Sequence, residues 1–355
     1  MELYDRIKKI NEICPPDENA MERAGAHWHG VCKPLKSLGV FEELVVKLAG
    51  IQGTENVMLD KRCAMIVCGD NGVVKEGVTQ SDMQVSTAVA LEIAEGKSNI
   101  NIMAKAAGAD TFVADVGLCS DVTHTGILPY KIAHGTANLA KEPAMSRKQA
   151  WEGIAVGIEL VDRLKEKGYD IVVTGEMGIG NTTTSSAMAA VLLNKPVSEV
   201  TGRGAGLTTA GLKRKVEVIE AALKLHCPDP TDPIDVLSKV GGFDIAAMTG
   251  MFLGGAIYHI PIMIDGFISS VAALLAFSIQ PLCREYMLAS HVSKEPAGKL
   301  ILKKLELTPV IHAGMSLGEG TGGVCLLPLL DIALAEYHHA HRFEQTDIGQ
   351  YEELI

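Results

Sequence analysis

At 355 residues, with 47% hydrophobic side chains and a positive mean hydropathy, the chain can bury one large core or two unequal ones, which excludes a disordered protein. Its 36 glycines and 21% charged residues suit an α/β protein rich in tight turns, not a fibrous one. A net charge of −11 excludes nucleic acid or an anionic membrane as the main partner, because both require a broad basic surface.

The first eleven residues alternate charged and apolar side chains without the apolar core and cleavage site of an export signal, so a cytoplasmic location is expected. The eight cysteines include no C-x-x-C pair and signal neither a zinc site nor a disulfide framework; reduced thiols are expected. Helical segments around 2–13 and 41–49, separated by Cys14-Pro15-Pro16 and Lys33-Pro34, predict a helical appendage. Runs rich in β-branched residues at 64–67, 111–114, 171–173, 261–264 and 309–311 read as buried strands. Stretches with helical spacing lie among them, as at 86–94, 150–165 and 212–225. This alternation predicts an α/β fold, a parallel sheet covered by helices on both faces. The apolar stretch 245–279 approaches the length of a membrane span, but His259, Pro261 and Asp265 cut it into pieces shorter than the roughly 20 residues required. The helical pattern at 330–340 is expected to pack with the first fifty residues. The division that follows is 1–50 and 330–355 as a small helical lobe, with 51–329 as the large α/β domain.

In parallel sheets, ligands bind beyond the carboxyl ends of the strands. Four predicted strands run into polar or Gly-rich segments. The most informative is Thr174-Gly175-Glu176-Met177-Gly178-Ile179-Gly180-Asn181-Thr182-Thr183-Thr184, where glycines allow close approach and a hydroxyl run opens an Ala-rich helix, an anion cradle by composition. A Gly-rich turn with a Ser/Thr cap is the plainer alternative. The missing Gly-Lys-Ser/Thr rules out a P-loop. Thr201-Gly202-Arg203-Gly204 with Lys215 further along offers a second set of phosphate contacts, although Lys215 alone reads as a solvated surface charge. In Leu317-Gly318-Glu319-Gly320-Thr321-Gly322, a single carboxylate between glycines is a candidate general base if burial raises its pKa, and otherwise a solvated loop residue. Asp265 either holds ribose hydroxyls or caps the next helix. Ser290-His291-Val292-Ser293-Lys294-Glu295-Pro296 either clusters hydrogen-bonding groups for a site or is an ordinary polar connection, and His338-His339-Ala340-His341 reads as surface more readily than as a metal site.

Taken in order, these segments resemble the nicotinate-nucleotide:dimethylbenzimidazole phosphoribosyltransferase family of the cobamide pathway over nearly the whole chain. Gly175 to Thr183 is an unaltered copy of the longest family motif. Lys33-Pro34-Leu35-Lys36-Ser37-Leu38-Gly39 is similar to another, with Lys36 in place of glycine, and Gly69-Asp70-Asn71-Gly72 to a third, with Asn71 where histidine is usual. Glu76-Gly77-Val78-Thr79, Asp265-Gly266-Phe267-Ile268 and Leu317 to Gly322 also fit. Met83 replaces an amide, and Lys299 stands where the family ends a segment in histidine.

The resemblance implies a Rossmann-like parallel sheet of about six strands with a small helical lobe, and a dimer that completes each active site. It implies transfer of ribose 5-phosphate from nicotinate mononucleotide to an aromatic base, with no cofactor or metal. Glu319 would be the base that deprotonates the acceptor, and Glu176 would lie near the reacting ribose. Gly178, Gly180, Asn181, Thr182, Thr183, Gly204, Lys215, Asp265, Ser293 and Gly320 would hold phosphate and ribose; Thr79, Met83 and Leu317 would border the aromatic base. Methionine at position 83 makes that pocket less polar and suited to a phenol as well as to a benzimidazole. Relatives that act on phenols pair two different chains, so a heterodimer subunit, catalytic or structural, is an alternative to the homodimer, and a nucleotide-binding protein without turnover is a third reading.

Overall fold

The computed structural model describes residues 3–351. In chain order the elements are α1 Leu3–Lys8, α2 Glu18–Gly30, α3 Val40–Gln52, β1 Arg62–Gly69, α4 Gln84–Ala94, α5 Asn99–Ala106, β2 Asp110–Gly117, β3 Ile127–Pro129, α6 Arg147–Glu166 and β4 Ile171–Met177. There follow α7 Asn181–Leu192, α8 Val197–Val200, α9 Thr209–His226, α10 Pro233–Val240, α11 Phe243–Tyr258, β5 Ile262–Ile264, α12 Phe267–Ile279, β6 Met287–Ala289, α13 Pro296–Lys304 and α14 Thr321–His339.

All six strands pair in parallel in the order β3-β2-β1-β4-β5-β6. Side chains alternate across a strand, so β1 sends Met65 and Val67 to one face, among α6, α10, α11 and α12, and Ala64, Ile66 and Cys68 to the other, among α2, α3, α5 and α14. With both faces covered, seven of the eight β1 residues are buried, which is why this strand reads as an apolar run and not as an alternating one. Strand order reverses between β1 and β4, opening the crevice in which such sheets bind ligands.

The helices carry local start signals. Ser146 and Gln149 close a capping box on α6, Ser98 and Asn101 do the same on α5, and Asp232 caps α10 ahead of Pro233. The α6 and α11 backbones cross in contact: a Cβ on Gly157 would run into the Ala247 carbonyl and one on Gly250 into the Ile154 carbonyl. The chain ends do pack together. Cys32 N–H donates to the His341 carbonyl at 2.8 Å, and Tyr337 stacks edge-on against Trp28 at 4.9 Å. The expected boundaries at 50/51 and 329/330 fall inside α3 and α14, and both helices share one hydrophobic core with the sheet.

One expected strand is corrected. Residues 309–311 form no strand; Ile311 makes a single bridge to His291. The sixth position in the sheet belongs to β6, and β3 supplies the opposite edge. The 245–279 stretch resolves into α11, β5 and α12, and among the described residues no helix is long and apolar enough to cross a membrane.

Candidate active site

The main cavity opens beyond the carboxyl ends of β4 and β5. Glu176, Gly178, Asn181, Thr182, Gly204, Asp265, Ser293 and Leu317 all line it. Gly178 must be glycine, since a Cβ there would strike the Gly69 carbonyl, and Gly180 takes a left-handed φ of 94° to turn the chain into α7. Ile179 N–H donates to Ser86 Oγ at 3.0 Å and anchors the tip of the turn.

Lys215, expected on its own to be solvated, is fully buried. Its Nζ donates to Thr182 Oγ1 at 2.9 Å and to the Gly202 carbonyl at 3.4 Å, and burial lowers its pKa to about 8. Glu295, from the polar 290–296 segment and given no role of its own by the sequence, accepts from Gly204 N–H at 3.0 Å and leaves its second oxygen buried without a partner. The ammonium is thus held by neutral acceptors beside the start of α7 with the Glu295 carboxylate nearby, and, like Thr183, it lines no part of the cavity. Thr183 is fully buried behind the turn and lines no part of the cavity.

Asp265 caps a helix, but not the one that follows it. Its Oδ1 accepts from Gly322 and Gly323 N–H at 2.7 and 3.0 Å, and Oδ2 accepts from Gly320 N–H at 3.2 Å, so it holds the start of α14 while bordering the cavity. Burial raises its pKa against the pull of His291 and these three N–H groups. The cap fixes an unusual turn in which Gly318, Glu319 and Gly320 have φ of 83°, 60° and 89°. A glutamate in this region is strained, a feature that concentrates at functional positions. Glu319 is only 6% exposed, and burial raises its pKa. Its carboxyl faces Ile100 N–H at the start of α5 and keeps one oxygen unpartnered, whereas Leu317 and Gly318 border the main cavity.

The three expected contacts to the aromatic base are separated. Thr79 lines a smaller cavity on the far side of the 178–182 turn, with Gln80 and Gly204, and Leu317 stands 53% exposed at the rim of the main one. Met83 lines neither; its Sδ lies 3.5 Å from the Cys119 thiol, whose pKa burial and Asp70 push up to about 11.

Asp244 was missed. Fully buried at the start of α11, it accepts at 3.0 Å from the Asn181 amide nitrogen, which also donates to Glu176. The available signal is Gly241-Gly242-Phe243-Asp244, a glycine pair that presses an acid against β1 before an apolar helix. Among the described residues no cluster of three or more His, Cys, Asp or Glu is arranged to hold a metal, and His338 is engaged with the Val57 carbonyl at 2.9 Å.

A family model described as phosphoribosyltransferase matches residues 13–348. The nicotinate-nucleotide:dimethylbenzimidazole phosphoribosyltransferase of Ruminiclostridium cellulolyticum is 46% identical over 345 residues, 97% of this chain and 98% of that one. Its counterpart in Clostridium acetobutylicum is 44% identical over 354 residues and covers 100% of both. The crystal structure of CobT from Thermus thermophilus matches with a TM-score of 0.88 at 34% identity, covering 94% of this chain and 100% of that one.

Proposed function

This chain belongs to the nicotinate-nucleotide:dimethylbenzimidazole phosphoribosyltransferase family, and from that premise we propose that it moves ribose 5-phosphate from nicotinate mononucleotide to dimethylbenzimidazole or a related base in the cavity beyond β4 and β5. The observation that carries this reading is the pairing of the Gly178–Asn181 turn with the buried Lys215 ammonium on Thr182, close in the chain to Glu176, which supports a phosphate site there.

With the 5-phosphate on Lys215 and the start of α7, the ribose extends toward Glu176. Nicotinate leaves C1 as a stable anion while the acceptor nitrogen forms the new bond, and a neighbouring carboxylate stabilises the positive charge that develops on the sugar. Asp265 contributes by holding the start of α14, not as a free ribose ligand. Glu319 serves as the base for the acceptor proton; its raised pKa and unpartnered oxygen support that role, which requires the acceptor to approach from the α5 side. The products are nicotinate and the α-ribosyl 5-phosphate of the base, destined for the nucleotide loop of a cobamide. The enzyme acts in the cytoplasm as a homodimer.

The test uses the purified chain alone with nicotinate mononucleotide and, separately, dimethylbenzimidazole, adenine and phenol, following nicotinate release and ribosylated product by mass spectrometry. Turnover with dimethylbenzimidazole is expected. Binding of nicotinate mononucleotide without turnover of any acceptor would defeat the single-chain enzyme and leave a missing partner subunit or a binding role. Replacing Glu319 with Gln is expected to slow transfer by about 100-fold or more while sparing nicotinate mononucleotide binding. Near-normal turnover of that variant would remove Glu319 from the mechanism.

A further inference from the structure

Behind Glu176 the site gathers more acid than its donors can satisfy. Glu176 and Asp244, both buried, share one amide nitrogen, that of Asn181, and Asp244 Oδ1 also accepts from Ile245 N–H at 2.9 Å. The groups facing the pair include other acids, Asp70 from the end of β1, Asp265 with His291 beside it beyond β5, and Glu319 ahead of α14, together with the neutral Cys68 thiol of β1, behind which lies Asp115 of β2. Two ionised carboxylates brought together on the Asn181 amide, with Asp244 fully buried, repel each other, so the pair retains a proton near neutrality.

An unpartnered atom indicates which member holds it. The Asn71 amide donates to the Gly69 and Ile179 carbonyls at 3.3 and 3.4 Å, leaving its Oδ1 buried with no donor. Asp244 Oδ1, while accepting from Ile245 N–H, borders the same small space: both oxygens lie under 3.0 Å from the point where a Cβ on Gly242 would stand. A protonated Asp244 supplies the hydrogen that Asn71 lacks. Burial, opposed in part by the hydrogen bonds from Asn181 and Ile245, raises Glu176 to about 8 and Asp244 to about 7, which would favour the proton on Glu176. Leaving a buried acceptor empty costs about as much as that one-unit difference or more, so the Asn71 oxygen reverses the order.

We propose that Asp244 is a positioning residue that keeps the pair's proton, donated to Asn71, so that Glu176 meets the ribose as an ionised carboxylate. This rests on the transferase reading of the site. It also gives a use to Asn71, which stands where the resemblance leads one to expect histidine.

Two measurements test it. The first is the carboxylic acid carbonyl band in infrared spectra of the unliganded protein at pH 7, which requires no turnover. A band lost in Asp244→Asn and retained in Glu176→Gln is expected; a band retained in Asp244→Asn and lost in Glu176→Gln, or no band sensitive to either change, overturns the proposal. The second is the pH dependence of kcat/KM for nicotinate mononucleotide. Asn71→Ala removes the acceptor and is expected to move the acid limb up by about one pH unit. Adding Asp244→Asn to Asn71→Ala removes the displaced proton and returns the limb to its wild-type position. An unmoved limb in Asn71→Ala, or a double variant that stays shifted, also overturns it. Should no variant or wild type turn over, the transferase reading fails on its own, and the infrared result still decides where the proton lies.

Discussion

Lys215 brings a cation into a place without water, and the cost of that burial can be measured. Its pKa, lowered to about 8, means that the unliganded site is partly neutral at mildly alkaline pH. A bound phosphate favours the ammonium, so the affinity for nicotinate mononucleotide is expected to be highest below pH 8 and to weaken as pH rises above it. Lys215→Met should cost about 1.5 to 3 kcal/mol of binding, roughly 10- to 100-fold in Kd, and flatten that alkaline loss. Calorimetric titration across pH 7 to 9 checks both, and a Met variant that binds like wild type would remove Lys215 from the phosphate site. At this scale the sequence showed the turn but not its supports. The turn at Gly178, Gly180 and Thr182 was legible because glycines and hydroxyls before an Ala-rich helix mark a tight turn into a helix start, whether or not an anion binds there. Lys215 read as a surface charge because its helix is otherwise amphipathic, and Asp244 passed unnoticed because an acid in the first turn of a helix is ordinary. Their burial comes from neighbours distant in sequence, Thr182 in one case and the β1 backbone in the other.

Among the elements, β1, β2, β4 and β5 were legible as buried runs bounded by turns, whereas the two edges were not. β3 and β6 are three residues each, and Ile-Leu-Pro and Met-Leu-Ala carry little strand preference of their own; pairing with β2 and β5 creates them. Residues 309–311 have the better strand composition, yet they follow α13 in a connection that reaches the sheet only through the bridge at Ile311. The α6 and α11 pair shows a second kind of hidden constraint, because their backbones touch through Gly157 and Gly250. Gly157→Ala would press a methyl group into the Ala247 carbonyl, and neither helix can retreat while packed on the sheet. A loss of about 1 to 3 kcal/mol in urea unfolding is expected, with KM for nicotinate mononucleotide unchanged in the folded variant. A neutral result would mean that the helices separate more easily than their packing indicates.

For the whole molecule, the order β3-β2-β1-β4-β5-β6 brings the strand ends of both halves of the sheet to one crevice, and the acids at those ends make the fold's stability depend on pH. In the unfolded chain Asp244 ionises near 4, while burial in the folded protein raises it to about 7. Above pH 4 the folded state holds a proton that the unfolded state has released, so the contribution of Asp244 to stability is complete below pH 4, declines as pH rises, and is gone once pH passes through the folded-state pKa. Other groups act over the same range, among them His259, whose pKa burial lowers and whose contribution runs the opposite way. The difference between two chains cancels the groups outside the Asp244–Glu176 pair. Asp244→Asn keeps the shape and a donor for Asn71 but has no proton to lose, so its melting temperature relative to wild type should climb steadily from pH 5 to pH 7. Thermal unfolding of both proteins in matched buffers gives that difference directly. A constant offset would show that Asp244 is already ionised in the folded state at pH 5, and the crevice would then tolerate two buried charges on a single amide.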